Sequence, residues 1–167
     1  DYMSRDLLHF IAKSPSVFHA VRGVKAALAY AGFTELREED TWQIEKGGKY
    51  VVTRDGSALV AFAVPENGGE FFRIAAAHCD SPTFKIKDGP YVRLNVEGYG
   101  GMIMSTWMDR PLSVAGRLIT RENGHLAQKL VAVDGTMLVI PSVAIHMDCQ
   151  VNQNKSWNVQ KDLLPLY

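Results

Sequence analysis

His78 and Asp80 stand two residues apart at the end of the apolar run Ile74-Ala75-Ala76-Ala77, and Ser81-Pro82 follows them. Neutral imidazole is the commonest metal ligand, and a carboxylate that accepts its other ring N–H fixes the tautomer and raises its basicity. In extended chain, residues i and i+2 point to the same side, so both groups can face one cavity while Cys79 points away. Open α/β sheets bind ligands beyond the carboxyl ends of their strands, which is where this pair falls. The pattern is not specific by itself. Five histidines and ten aspartates in 167 residues give about 0.3 His-x-Asp matches by chance, and a second match occurs at His146-Met147-Asp148. From pattern alone, His78 is either a hydrogen-bonded histidine at a strand end or a metal ligand. His146 reads as an inward- or edge-facing strand residue.

The surrounding elements must position these groups. Residues 4–13 carry Leu7, Leu8, Phe10 and Ile11 at amphipathic helical spacing, and Ser14-Pro15 ends the pattern. Ser16 stands where it would cap a second helix, in which Val21, Val24, Leu28 and Ala31 share one face before Gly32 stops it. Residues 49–54 and 57–64 are β-rich runs joined at Arg54-Asp55-Gly56, a hairpin signal. Residues 71–77 lack polar alternation and read as a central parallel strand covered on both faces. From Pro90 onward the helical period is lost. Short β-like runs at 91–96, 114–120, 129–133 and 137–140 alternate with Gly, Asn and Asp-Gly turns, so a second, mostly β unit is expected there. Helices, a hairpin and a buried strand together indicate an α/β layer architecture.

Eighteen basic side chains balance eighteen acidic ones, without a Lys/Arg-rich tract, so nucleic acid is not an expected partner. No apolar run approaches the ~20 residues of a spanning helix, and the first residues lack the basic-then-apolar order of a signal peptide. A soluble cytoplasmic protein with no membrane partner is expected. Cys79 and Cys149 are the only cysteines. Without CxxC spacing they form neither a disulfide scaffold nor a zinc knuckle, and they suit a reducing compartment. Ser81 lacks a nucleophile elbow. His19 reads as a packed helix-face residue, Trp107, Asp109 and Arg110 as a hydrogen-bonded strand crossing.

Four ordered blocks carry a resemblance that spans almost the whole chain. His78-Cys79-Asp80-Ser81-Pro82 resembles the His-Thr-Asp-Ser-Pro signature of the aspartyl aminopeptidase family of zinc metallopeptidases. Ser14-Pro15-Ser16-Val17-Phe18-His19-Ala20-Val21 is similar to its N-terminal Ser-Pro-x-x-Phe-His-Ala-Val. Tyr99-Gly100-Gly101, the run from Ser105 to Leu112 and Ala115-Gly116-Arg117 resemble its Tyr-Gly-Gly, Thr-Trp-x-Asp-Arg-x-Leu and Ala-Gly-Arg. Ile140-Pro141-Ser142-Val143-Ala144-Ile145-His146 matches its Ile-Pro-x-x-Ala-Ile-His.

The resemblance implies an α/β fold: the N-terminal part of a mixed-sheet metallopeptidase catalytic domain over residues 1–89, then a β-rich dimerisation domain, incomplete, over 90–167. It implies two divalent metal ions, usually zinc, with His78 as a metal ligand and Asp80 as the catalytic group that orients it. His146 would project from the dimerisation domain into a partner subunit's site and stabilise a developing oxyanion. The remaining ligands of the family lie beyond the equivalent of Tyr167. This chain by itself is therefore expected to be inactive and to need the C-terminal remainder of the catalytic domain, because a catalytic metal takes about three protein ligands. Peptides with acidic N-termini would be the substrates and a homodimer or larger homo-oligomer the assembly. The alternative is a non-catalytic oligomerisation or regulatory module of the same family. Cys79 departs from the usual threonine, which places an oxidisable thiol beside the metal. The interval from Pro82 to Tyr99 is shorter than the family's.

Overall fold

Two helices open the chain, as the apolar spacing requires. The computed structural model describes residues 2–67, 69, 71–88 and 93–167. Helix α1 covers Tyr2–Ala12 and α2 covers Val17–Tyr30. Gly32 takes a left-handed φ of 83°, and the N–H groups of Gly32 and Phe33 return to the carbonyls of Ala29 and Leu28, both at 3.0 Å. That pattern satisfies the carbonyls a helix end leaves open, and glycine adopts it without a Cβ penalty. Ser16 holds the N-cap position of α2, but its hydroxyl does not cap the helix. It lies 2.7 Å from Nδ1 of His19 instead. His19 is 5% exposed, and a buried ring nitrogen needs a polar partner more than an N-terminal amide that water can reach.

Strands β1 (Thr34–Leu36), β2 (Lys49–Arg54) and β3 (Ala58–Ala63) form one sheet, with β2 central, parallel to β1 and antiparallel to β3. Asp55 and Gly56, with φ of 51° and 65°, make the tight turn that matches the right-handed twist of the strands. Tyr50, Val51 and Val52 are the buried residues of the sheet. The Tyr50 ring pairs with Phe62 opposite at 5.4 Å, and its hydroxyl accepts the Glu45 N–H at 2.9 Å. Strands β6 (Ala115–Glu122) and β7 (His125–Ala132) form a second hairpin, closed by Asn123 and Gly124 with φ of 51° and 84°. Arg117 of β6 lies 4.2 Å over the Phe18 ring and donates to the Asp55 carbonyl at 2.6 Å, which fixes this hairpin to α2 and the β2–β3 turn.

Residues 71–77 are neither a strand nor buried, contrary to the reading of this run as a covered central strand. Phe72 is 94% exposed and Ile74 85%. A central strand exists only where neighbours accept its backbone hydrogen bonds and layers cover both faces, and among the described residues no strand pairs with this run.

Packing divides the chain into two compact units: residues up to Ser81 with Ala115–Val131, and Pro82–Val114 with Ala132–Tyr167. The single boundary expected at 89/90 lies outside the described residues, as does the start of the β-run expected at 91–96. In the second unit β4 (Thr83–Lys87) pairs antiparallel with β5 (Asn95–Tyr99). A 3-10 turn, Met104–Trp107, sets the Trp107 ring edge-on to Phe84 at 5.1 Å. Helix α3 (Val159–Asp162) is capped by Asn158, whose side chain accepts the Gln160 N–H at 3.0 Å. The run at 137–140 forms isolated bridges rather than a full strand: Leu112 with Leu138, and Val139 with Leu166. Val96, Leu138, Ile140 and Leu163 are the buried apolar residues of the second unit. No helix among the described residues is long and apolar enough to cross a membrane.

Burial, and then the positive charge of Arg22, lowers the pKa of His19 below the ordinary 6.5. An unfolded chain therefore takes up a proton near the ordinary value while the folded one resists it, so stability is full above that range and falls as the pH drops towards the lowered folded value. The thermal unfolding midpoint should decrease between pH 7.5 and 5.5, and His19→Gln should shrink that decrease. Identical pH profiles for the two proteins would contradict this account.

Candidate functional site

The ring of His78 is held from within its own motif. Nδ1 lies 2.6 Å from the backbone carbonyl of Asp80 and 3.4 Å from its carboxylate Oδ1. A carbonyl oxygen only accepts, so the short contact places the proton on Nδ1 and leaves the lone pair of Nε2 on the opposite edge of the ring. That is the tautomer a metal-ligating histidine needs. The spacing argument anticipated that residues 78 and 80 would meet, but with the Asp80 carboxylate as the orienting group. The main-chain carbonyl is the closer partner, because a bend at Cys79 turns the 80 carbonyl back towards the ring.

The His78 side chain is 80% exposed, and the exposed run at 71–77 leads to it within the first unit. Its chemistry fits one metal ligand. Among the described residues, no group of three or more His, Cys, Asp and Glu comes together to hold an ion. Cys79 is a half-buried free thiol and Cys149 an exposed one.

His146 belongs to the second unit. It is not a strand residue, contrary to the reading of its β-branched surroundings: residues 145–147 form an exposed turn, in which the Met147 N–H donates to the Ala144 carbonyl at 2.8 Å. The chain reaches this turn from a fixed root. Ile140 is fully buried, its carbonyl accepts the Asp109 N–H at 2.9 Å, and the Ser142 N–H donates to Asp109 Oδ1 at 2.8 Å. The Ser142 hydroxyl and then its N–H hold the Asp109 carboxyl below its ordinary pKa, so it stays ionised as an acceptor. On the far side Asp148 pairs with Lys155 where both are mostly shielded, and the Lys155 ammonium lies 4.4 Å over the Trp157 ring. Beside Asp109, Arg110 donates to the Thr106 carbonyl at 3.0 Å. Asp109 and Arg110 are hydrogen-bonded, Asp109 to residues more than thirty positions away, but they lie in a turn and Trp107 in the 3-10 turn, so the expected strand crossing is not formed.

Residues 10–167 match the family model described as "Aminopeptidase I zinc metalloprotease (M18)". The chain is 46% identical over 176 residues to a probable M18 family aminopeptidase 2 of Clostridium novyi, covering 98% of this chain and 40% of that protein. It is 42% identical to an aspartyl aminopeptidase of Aspergillus oryzae, covering 96% and 34%. In structure it resembles a chain of the cryo-EM structure of the Ape4 and Nbr1 complex, with a TM-score of 0.89 and 38% identity over 96% of this chain and 33% of that one. It also resembles the mApe1 dodecamer of S. cerevisiae, with a TM-score of 0.77 and 26% identity over 98% and 37%. The chain spans about two fifths or less of the length of each.

In the full-length protein His78→Ala should lose zinc on dialysis. Asp80→Asn keeps the main-chain acceptor of the ring and should retain zinc with a loss of affinity of about tenfold, the low end for groups that orient a ligand. Elemental analysis of the two variants checks this, and equal zinc content would show that His78 is not a ligand.

Proposed function

Because the chain belongs to the aminopeptidase I zinc metalloprotease (M18) family, we propose that it forms the N-terminal portion of a metal-dependent aminopeptidase that removes N-terminal residues, acidic ones by preference, from peptides. The observation that carries this reading is the match over residues 10–167, which takes in both His78 and His146. The acidic preference is supported by the aspartyl aminopeptidase of Aspergillus oryzae. In this proposal residues 1–89 contribute to the catalytic domain and 90–167 to a β-rich dimerisation domain, with the hairpin of Ala115–Val131 packed in the first unit. The C-terminal remainder of the catalytic domain supplies the other metal ligands. Two unpaired cysteines suit a cytoplasmic setting.

His78 would hold zinc through Nε2, with its Nδ1 proton retained by the Asp80 carbonyl. Zinc, when bound, supplies Lewis acidity towards a peptide carbonyl and lowers the pKa of water. His146 would donate a hydrogen bond to the carbonyl oxygen as negative charge develops on it, acting in the site of a neighbouring subunit. Homo-oligomeric assembly is supported by the S. cerevisiae mApe1 dodecamer, and an exposed turn is a suitable carrier for a group that acts across a subunit boundary.

The full-length protein should release N-terminal Asp and Glu from short peptides faster than Leu, lose that activity to a chelator and regain it with zinc. Residues 1–167 by themselves should show none. Turnover by the isolated chain, or no aminopeptidase activity in the zinc-loaded full-length protein, would overturn the reading.

His146→Phe in the full-length protein should lower kcat by about 10²–10³, the size of effect seen when an oxyanion donor is removed, with zinc content and oligomeric state unchanged. Mixed with His78→Ala it should regain activity, because a mixed oligomer contains sites with an intact ligand from one subunit and an intact donor from the other. If native mass spectrometry shows mixed oligomers and the mixture is no more active than its parents, His146 does not act in trans.

A further inference from the structure

We propose that Asp109 is the positioning residue of the His146 turn, an inference that rests on the reading of His146 as a hydrogen-bond donor to substrate. Three observations in the second unit carry it. Residues 109–112 and 138–142 run alongside each other. The Leu112 N–H donates to the Leu138 carbonyl at 2.9 Å, the Leu138 N–H returns to the Leu112 carbonyl at 3.1 Å, and the Asp109 N–H donates to the Ile140 carbonyl at 2.9 Å. The Val139 N–H faces the other way, to the Leu166 carbonyl at 3.0 Å, so the next N–H on the Asp109 side is that of Ser142. Asp109 extends the ladder by one more rung with its side chain, whose Oδ1 accepts the Ser142 N–H at 2.8 Å.

The same residue adopts a left-handed backbone, φ 53°, which an aspartate enters more readily than most residues but which still needs support from its surroundings. Its N–H and its carboxylate thereby face the same short stretch and grip it on both sides of Pro141. Four residues after Ser142 stands His146. The root of the turn is buried at Ile140, the tip is exposed, and among the described residues the Asp109–Ser142 contact is the last hydrogen bond that holds the chain before the turn, where the Met147 N–H donates to the Ala144 carbonyl. Asp109 does not act on substrate. It sets where the His146 imidazole can reach, and a displacement of about 1 Å at a reacting group costs about a hundredfold in rate.

The test uses the full-length protein. Asp109→Gly permits the left-handed backbone and removes the whole side chain with its carboxylate. It should lower kcat by about tenfold to a hundredfold, with KM, zinc content and oligomeric state unchanged. Asp109→Asn retains an acceptor oxygen and tolerates the same φ, so it should restore most of kcat. In a His146→Phe background Asp109→Gly should cause no further loss, because the group it positions is gone. Hydrogen exchange over residues 141–147 should be faster in Asp109→Gly and close to wild type in Asp109→Asn. Unchanged exchange in the glycine variant would overturn the grip itself, whatever the role of His146. Faster exchange with unchanged kcat, or a full additional loss in the double variant, would show that Asp109 does not act through His146. A His146→Phe protein with undiminished kcat would instead remove the premise that His146 is a donor, and the positioning role with it.

Discussion

Backbone amides and carbonyls that leave water must find partners, and this constraint bears on residues 71–77, the run that leads to His78. Among the described residues no strand meets it, and its large apolar side chains, Phe71, Phe72 and Ile74, face solvent. Fully covering side chains of this kind is worth about 1.5–3 kcal/mol each, so a partner that pairs the backbone and covers these three would gain several kcal/mol from side chains alone. On the proposed reading that partner is the remainder of the catalytic domain. The same event would place His78 among the other ligands. Formation of the sheet and assembly of the metal site would then be one process rather than two, as is common where a preformed site is lacking in the separate parts.

The parts of the fold that could be read from the sequence are those whose causes are local. Helix α2 ends at Gly32 because a left-handed residue is required there, and the two hairpins turn at Asp55-Gly56 and Asn123-Gly124 for the same reason. Strands β1 and β4 were less visible in pattern. The first has three residues, and the second alternates Phe84 and Ile86 with Lys85 and Lys87, which does not distinguish a paired strand from a polar edge. Burial is a property of neighbours. The unbroken apolar run at 71–77 carries the composition of a covered strand without the elements that would cover it.

The candidate site was legible in the same uneven way. The period of extended chain puts residues 78 and 80 on one side, and they do meet, but across a bend at Cys79 rather than along an extended run. Which oxygen of Asp80 comes closest depends on a bend at Cys79 that spacing does not encode. Val143-Ala144-Ile145 looks like strand because two of its three residues are β-branched, yet the backbone closes into a turn. The grip of Asp109 on Ser142 spans 33 residues of sequence. Nothing in the composition near His146 points to it.

The two histidines are supported in opposite ways, and the difference follows from what each would do. A metal ligand can be drawn into place by the ion, so on the proposed reading His78 would need only its tautomer set and its ring held, and the Asp80 carbonyl contact does both on an exposed stretch. A hydrogen-bond donor to a developing charge has no such strong attraction to correct its position, and it acts only within about 2.7–3.1 Å of the oxygen it stabilises. A donor on an exposed turn must therefore be set by the protein before substrate arrives. Both ends of the His146 turn show how: Asp109 and the buried Ile140 on one side, and the shielded Asp148–Lys155 pair against Trp157 on the other. The shielding matters, since an ion pair in water contributes little to local order. A turn fixed at both ends while its tip stays exposed can present a side chain to another molecule without having to order itself first, which lowers the entropic cost of the encounter.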